Sequence, residues 1–482
     1  MRAISRTMLS LCAVPALTVP ASPALAQRAA ALAEPVRQFV SVAEPVVALV
    51  HVRLIDGTGA APRADQTVVL RDGKIAEVGP AARVRVPQGA RVMDLAGHTV
   101  IPGLVGVHDH LFYTAAGGRA VQMSFTGPRL YLASGVTTIR TTGGRSPYAE
   151  INTKAMVDSG RVPGPRIHLT APYLTGGGGG TSGSMAEVHS PEAARRFVAY
   201  WASEGMQWIK AYTDISRADL RAAIDEAHKR GMKATGHICS VSFREAVELG
   251  IDNLEHGMLT MSDFAAGRPA DVCPADLLTG VAQANPVGPE AHAVIKAMVD
   301  RKVSMTSTLA VFEPFVPGRL SSDERTWAMM APEVRTSYLQ VRHHIDSAKN
   351  SPVTNAVFRN AMAFEKAFVE AGGLLAAGVD PTGVGGALAG FGDQRNYELL
   401  VEAGFTPQQV VQIMTANGAK VLGVDGTLGT VAVGKIADLV VLRGDLTADP
   451  TVIRNVTVVF KDGVGYDSAK LIAAVKGRVG ID

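Results

Sequence analysis

Residues Val100–His110, VIPGLVGVHDH, are an apolar run that ends in two histidines two positions apart. Side chains alternate along an extended chain, so His108 and His110 face one way and Asp109 the other. Similar strand ends recur downstream. Lys210 interrupts the apolar part of QWIKAYTD (Gln207–Asp214), His237 follows KATG, His256 follows DNLE, and Asp380 follows LLAAGV. The candidate strands are Val105–His108, Val136–Thr141, Arg166–Thr170, Trp208–Tyr212, Lys233–His237, Ile251–His256, Val303–Leu309 and Leu374–Asp380, eight in all. Segments such as SPEAARRFVAYWASEGM and SRADLRAAIDEAHKRGM, with apolar positions at helical spacing, separate them. This alternation predicts an α/β chain folded as a (β/α)8 TIM barrel, in which the carboxyl ends of all strands meet on one face. An open doubly wound sheet is the poorer reading, because no glycine-rich dinucleotide turn follows an early strand. The stretch LTGGGGGTSG (Leu174–Gly183) reads as a loop; it lacks the lysine and following helix of a phosphate cradle.

Outward from the barrel, both ends of the chain read as short β runs divided by turns, with Asp72-Gly73 and Asp462-Gly463 as tight hairpin pairs. Neither end is large enough to bury a core alone, so residues 43–101 and 426–470 are expected to build one small β-sandwich domain beside a barrel spanning 102–425. Residues 1–26 combine Arg2 and Arg6, an apolar run and Ala24-Leu25-Ala26, the pattern of a cleaved secretory signal. The run is too short and too proline-broken to span a bilayer, so a periplasmic or secreted protein without stable membrane insertion is expected. The mature chain then keeps Cys239 and Cys273, enough for one disulfide and too few for a cysteine metal cluster. With 482 residues, 47% hydrophobic content and a formal charge of +3, the chain has material for a large core and no basic run that would call for nucleic acid. A homo-oligomer stays open.

Lys210 is the residue most in need of explanation, since a buried ammonium is costly without a partner. An ion pair with Asp214 or Glu204 is the plain alternative. Taken singly, a strand histidine is more often a packed core residue and a strand-end aspartate a helix cap. Six metal-compatible groups at five strand ends change that balance, because imidazoles sharing a face repel when charged and chelate when neutral.

At this point the sequence resembles the metal-dependent amidohydrolase superfamily, in particular its imidazolonepropionase-like and prolidase-like branch. VIPGLVGVHDH, ASGVTTIR (Ala133–Arg140), LGTVAVGKIADLVVL (Leu428–Leu442) and the ordered set HxH, Lys, His, His, Asp carry the resemblance over nearly the whole mature chain. It implies that His108, His110 and Asp380 bind one metal, that His237 and His256 bind a second, and that Lys210 bridges both. Burial and two nearby cations lower a lysine pKa, so the neutral amine captures carbon dioxide as a carbamate, a bridging carboxylate. Such a bridge would hold two divalent ions about 3.5–4 Å apart. Zinc is the expected ion, with manganese, cobalt or iron suiting similar donors. Relatives usually carry an acid after the second-strand arginine, where this chain has Thr141.

The reading is therefore a secreted hydrolase that cleaves an amide or peptide C–N bond with a hydroxide shared by two metals, Asp380 acting as base and then acid. An Xaa-amino acid dipeptide or an N-acyl amino acid is the expected substrate. Tyr212, Arg140, Tyr113 and Phe312 are candidate substrate contacts: Arg140 as a bidentate carboxylate receptor, Tyr212 as a hydrogen-bond donor, Tyr113 and Phe312 as apolar wall. A cyclic amide, carbamate, lactone or phosphoester would suit the same hydroxide, and a non-catalytic barrel that only binds is the alternative of another class.

Overall fold

The computed structural model describes residues 31–177, 185–319, 321–348 and 351–481. The expected signal at residues 1–26 lies outside these, as do residues 178–184 of the glycine-rich stretch and its continuation.

The central residues alternate strands and helices as an α/β array of the TIM-barrel type. Leu104–Asp109, Val136–Thr141 and Arg166–His168 form one parallel ladder. Thr170–Thr175, Trp208–Ala211, Lys233–Gly236, Asn253–Glu255, Ser304–Ser307 and Leu375–Ala377 form a second. Leu169 links the two, and its carbonyl accepts from Gln207 N at 3.0 Å. The last strand lies beside the first, where Asp380 N donates to His108 O at 2.8 Å. Gly378 is required at this approach, because a Cβ there would meet His108 backbone at 2.4 Å.

Two of the observed strands stop short of their expected ends, at His256 and Asp380, for one physical reason. His256 (φ 66°) and Asp380 (φ 48°) adopt left-handed backbone, which ends the pleat before them. A non-glycine residue held there costs on the order of 1–3 kcal/mol, strain that concentrates at functional sites. The third strand also reaches further than expected, to Thr175, which carries Tyr173 to the carboxyl face.

The two ends of the chain hydrogen-bond into one nine-stranded sheet. Val46–Leu54, Arg63–Arg71 and Lys74–Pro80 run antiparallel, and His98–Pro102 pairs in antiparallel register with Leu439–Arg443. Asp72 (φ 50°) with Gly73 (φ 80°), and Asp462 (φ 53°) with Gly463 (φ 80°), supply the two positive-φ residues of a type I′ hairpin turn. Val47, Leu49, Val68, Leu70, Leu439 and Phe460 pack the core of this sheet. Cys239 and Cys273 form a disulfide that ties the loop after His237 to the following segment. Closing a loop of that 34-residue separation restricts the unfolded chain by about 3–4 kcal/mol.

Candidate active site

The carboxyl strand ends bring all six expected donors together. Each of three histidines is held through Nδ1. His108 Nδ1 lies 2.7 Å from Glu255 Oε2, His110 Nδ1 lies 3.1 Å from Gly143 O, and His256 Nδ1 lies 2.6 Å from Thr308 Oγ1. An anchored Nδ1 fixes the ring and leaves Nε2 as the free donor, the arrangement that orients metal-ligating imidazoles. His108 Nε2 is 3.4 Å from Asp380 Oδ2, and His110 Nε2 is 3.2 Å from Asp380 Oδ1. Buried His256 Nε2 has no hydrogen-bond partner among the described residues. Donor atoms of His108, His256 and Asp380 lie within 4.8 Å of one another. Lys210 Nζ stands 3.5 Å from His108 Nε2, and His237 joins through a ring contact of 4.4 Å with His256.

The electrostatics suit cation binding. Burial, reinforced by Lys210, holds His108 well below the usual imidazole range and His237 at about 3. Burial and the neighbouring imidazoles do the same to His256, while burial lowers His110 against the opposing pull of Asp380. The rings are therefore neutral, the form that ligates. Burial brings Lys210 down to about 8, against Glu255 and Asp380, which favour its charge. Burial opposes ionisation of Asp380, but His108, His110 and Lys210 outweigh it and hold the carboxylate well below its ordinary range. An orphaned buried nitrogen, neutral imidazoles and one ionised carboxylate make a donor set that fits divalent metal ions. Neither Asp214 nor Glu204 accounts for Lys210; the acids that act on it are Glu255 and Asp380.

A cavity of about 280 Å³ opens over this cluster, lined in part by Arg145, Tyr173, Tyr212, Phe312, Phe315 and Asp380. Of the four expected substrate contacts, Tyr212 and Phe312 line this cavity. Arg140 and Tyr113 do not. Fully buried Arg140 sits with its guanidinium 4.4 Å from the Trp208 ring and donates Nη2 to Glu255 Oε1 at 2.5 Å, so it braces His108 through Glu255 and is not placed to receive a carboxylate. Buried Tyr113 donates to Gly385 O at 2.7 Å and serves as a tie beneath the wall. Asp109 turns away as its alternation dictates; Oδ1 accepts from Val379 N at 3.0 Å, and burial pushes its carboxyl up to about 7.

Sequence reading missed Glu255, Tyr173, Thr308 and Arg145. Glu255 and His256 are adjacent and should alternate sides; the left-handed turn at His256 lets both serve the site. Burial opposes the Glu255 charge, but Arg140 and Lys210 more than compensate and keep it below the ordinary range. Arg145 follows the second strand through Gly143, whose φ is 94° and where a Cβ would meet the Tyr173 ring at 3.0 Å. The signal for Arg145 was the Gly143-Gly144 pair, which allows the loop to fold back over the strand ends.

Comparison with known proteins agrees with this geometry. The model of the Amidohydrolase family matches residues 99–311 and 318–465. The chain is 24% identical to a dihydroorotase of Anaeromyxobacter dehalogenans (strain 2CP-C) over 428 residues, covering 83% of this chain and 89% of that protein. In fold it is similar to a bottromycin amidohydrolase (TM-score 0.69, 20% identity, 93% of this chain and 96% of that one). It is also similar to a Xaa-Pro dipeptidase with bound methionine (TM-score 0.65, 20% identity, 88% of this chain and 100% of that one). The chain belongs to the amidohydrolase family and is a hydrolase of carbon–nitrogen bonds.

Proposed function

We propose that this protein is an exported binuclear amidohydrolase that cleaves a dipeptide or an N-acyl amino acid. His108, His110 and Asp380 would hold one divalent ion, His237 and His256 a second, with a carbamate on Lys210 between them and zinc as the native metal. The observation that carries this reading is the convergence of three Nδ1-anchored histidines, one with an orphaned Nε2, on Asp380 and Lys210. Bound metals supply Lewis acidity and a water acidic enough to attack at neutral pH. Asp380, ionised at the cavity floor, takes the proton of the attacking water and returns it to the departing amine nitrogen. Tyr212, whose hydroxyl burial pushes up to about 12, stays protonated and donates a hydrogen bond to the substrate. Phe312, with Phe315 and Val311, offers an apolar wall.

The same proposal takes the parallel strands as a closed (β/α)8 barrel and the terminal sheet as a β-sandwich domain. Export is supported by the sequence of residues 1–26 and by the Cys239–Cys273 disulfide, which persists in oxidising compartments. The deciding experiment is elemental analysis of protein recovered from the exported fraction, its amino terminus expected at Gln27, after expression with bicarbonate. About two divalent ions per chain are expected, falling by half or more in Lys210→Ala. One ion per chain, indifferent to Lys210, would overturn the bridged pair.

A further inference from the structure

Several strands that carry the donors at their carboxyl ends begin beside a second cavity of another kind. About 280 Å³ in volume, it opens at the amino ends of Trp208–Ala211, Lys233–Gly236, Asn253–Glu255 and Ser304–Ser307. Its charged lining is Lys233, Arg301, Lys302 and Lys420, with Asp252 as the carboxylate among the described lining residues. That carboxylate is already engaged: Oδ2 accepts from Ala234 N at 2.8 Å and lies 2.8 Å from His228 Nε2. Lys233 is half-buried and held in place, its Nζ donating to Val421 O at 2.8 Å and standing 5.3 Å from the Trp208 ring centroid. Burial lowers its pKa below the ordinary lysine range, against Asp252 and Asp425, which favour its charge. Arg301, Lys302 and Lys420 are exposed, and their side chains make no hydrogen bond or ion pair among the described residues. The amino face of a barrel ordinarily serves stability, but four cations facing one concave space repel one another. Low-dielectric walls focus their field on the space between them, which draws in an anion.

We propose that this cavity binds a phosphate dianion, free or as the monoester of a small molecule, on the face of the barrel away from the donor cluster. Lys233 supplies a fixed cation at its wall, and Arg301, Lys302 and Lys420 bring charge to the oxygens from the rim. The residue types suit the ligand, since the planar fork of an arginine matches two phosphate oxygens and lysines act on them as point charges. With its carboxylate occupied by His228 and Ala234, the cavity presents little to repel an anion. This site stands apart from the hydrolytic reading and requires nothing of the metals.

The test is isothermal titration calorimetry of the full chain at fixed ionic strength, with inorganic phosphate and glycerol 3-phosphate as probes and chloride as the control. Binding of at least one probe is expected, weakening as salt is raised because the rim cations are exposed. Lys302→Gln and Lys420→Gln combined should weaken it at least about tenfold, the loss expected of two contacts to a charged group. A Tm equal to wild type without phosphate verifies that the double variant is folded. Whichever probe binds more tightly names the source, free phosphate or a monoester. Phosphate held at the strand-end cluster, on the other face, would be untouched by these substitutions. Binding that survives them at full strength therefore overturns the site, as does heat no greater than that of chloride. Either result would leave the hydrolytic reading standing.

Discussion

Two buried charge clusters lie back to back across the segment Leu309–Phe315. Phe312 packs its ring 5.4 Å from His256 on one side, and the next residue, Glu313, belongs to the other cluster. There every carboxylate is matched. Glu313 accepts from Arg319 at 2.8 Å and from two nitrogens of Arg395 at 2.7 and 2.8 Å. Glu398 takes Arg395 at 2.7 Å and Arg454, which also reaches Asp323 at 2.9 Å. The strand-end cluster is the reverse, with neutral imidazoles and a lysine around Asp380 and a buried nitrogen left unpartnered. Buried polar groups are normally satisfied, so the matched cluster holds the fold together and the unmatched one is built for something that arrives from outside.

The sharpest break of this contrast is Asp380→Asn. It removes the base while keeping the size of the side chain, and kcat/KM on an amide substrate should fall by about 10²–10⁴ while Tm moves little. Turnover at the wild-type rate would remove Asp380 from the chemistry. The matching change in the other cluster is Arg454→Met, which leaves Glu398 to Arg395 alone and takes the arginine from Asp323. Stability should drop by about 1–3 kcal/mol in denaturant unfolding, because the pair is only partly buried and solvent screens it, with metal content and kcat/KM unchanged. A loss of metal in this variant would erase the distinction between the clusters.

A further effect concerns a buried acid outside both clusters. Glu365, whose Oε2 has no hydrogen-bond partner among the described residues, is pushed by burial from 4.5 to about 8. Its folded state holds a proton that the unfolded chain releases above pH 4.5. The stability it contributes is therefore full below that pH and is lost by about 1.4 kcal/mol per unit as pH rises towards 8. Glu365→Gln should flatten that alkaline slope in unfolding curves measured across the window. An unchanged slope would assign the effect to other groups.

Much of the site was legible because it is written in local rules. Two-residue alternation put His108 and His110 on one face, and the order of strands and helices brought Lys210, His237, His256 and Asp380 to the same end. The supporting residues were not legible in the same way. Glu255 sits one position from His256, where alternation would turn it away, and its place depends on the left-handed backbone of His256. Tyr173 lies on a strand that runs past its expected end, and nothing in the local composition marks the break between strands at Leu169.

By itself the sequence determined the donors, their strand ends and the Asp-Gly hairpins, since periodicity, turn chemistry and βα order act between near neighbours. Only the tertiary structure decided which arginine is spent inside and which faces the cavity. Arg140 and Arg145 are equally basic and five positions apart, but one ends a strand against Glu255 and Trp208 while the other follows a glycine turn over Phe112. That difference is set by partners about a hundred residues away or by the path of a loop, and side-chain identity carries neither.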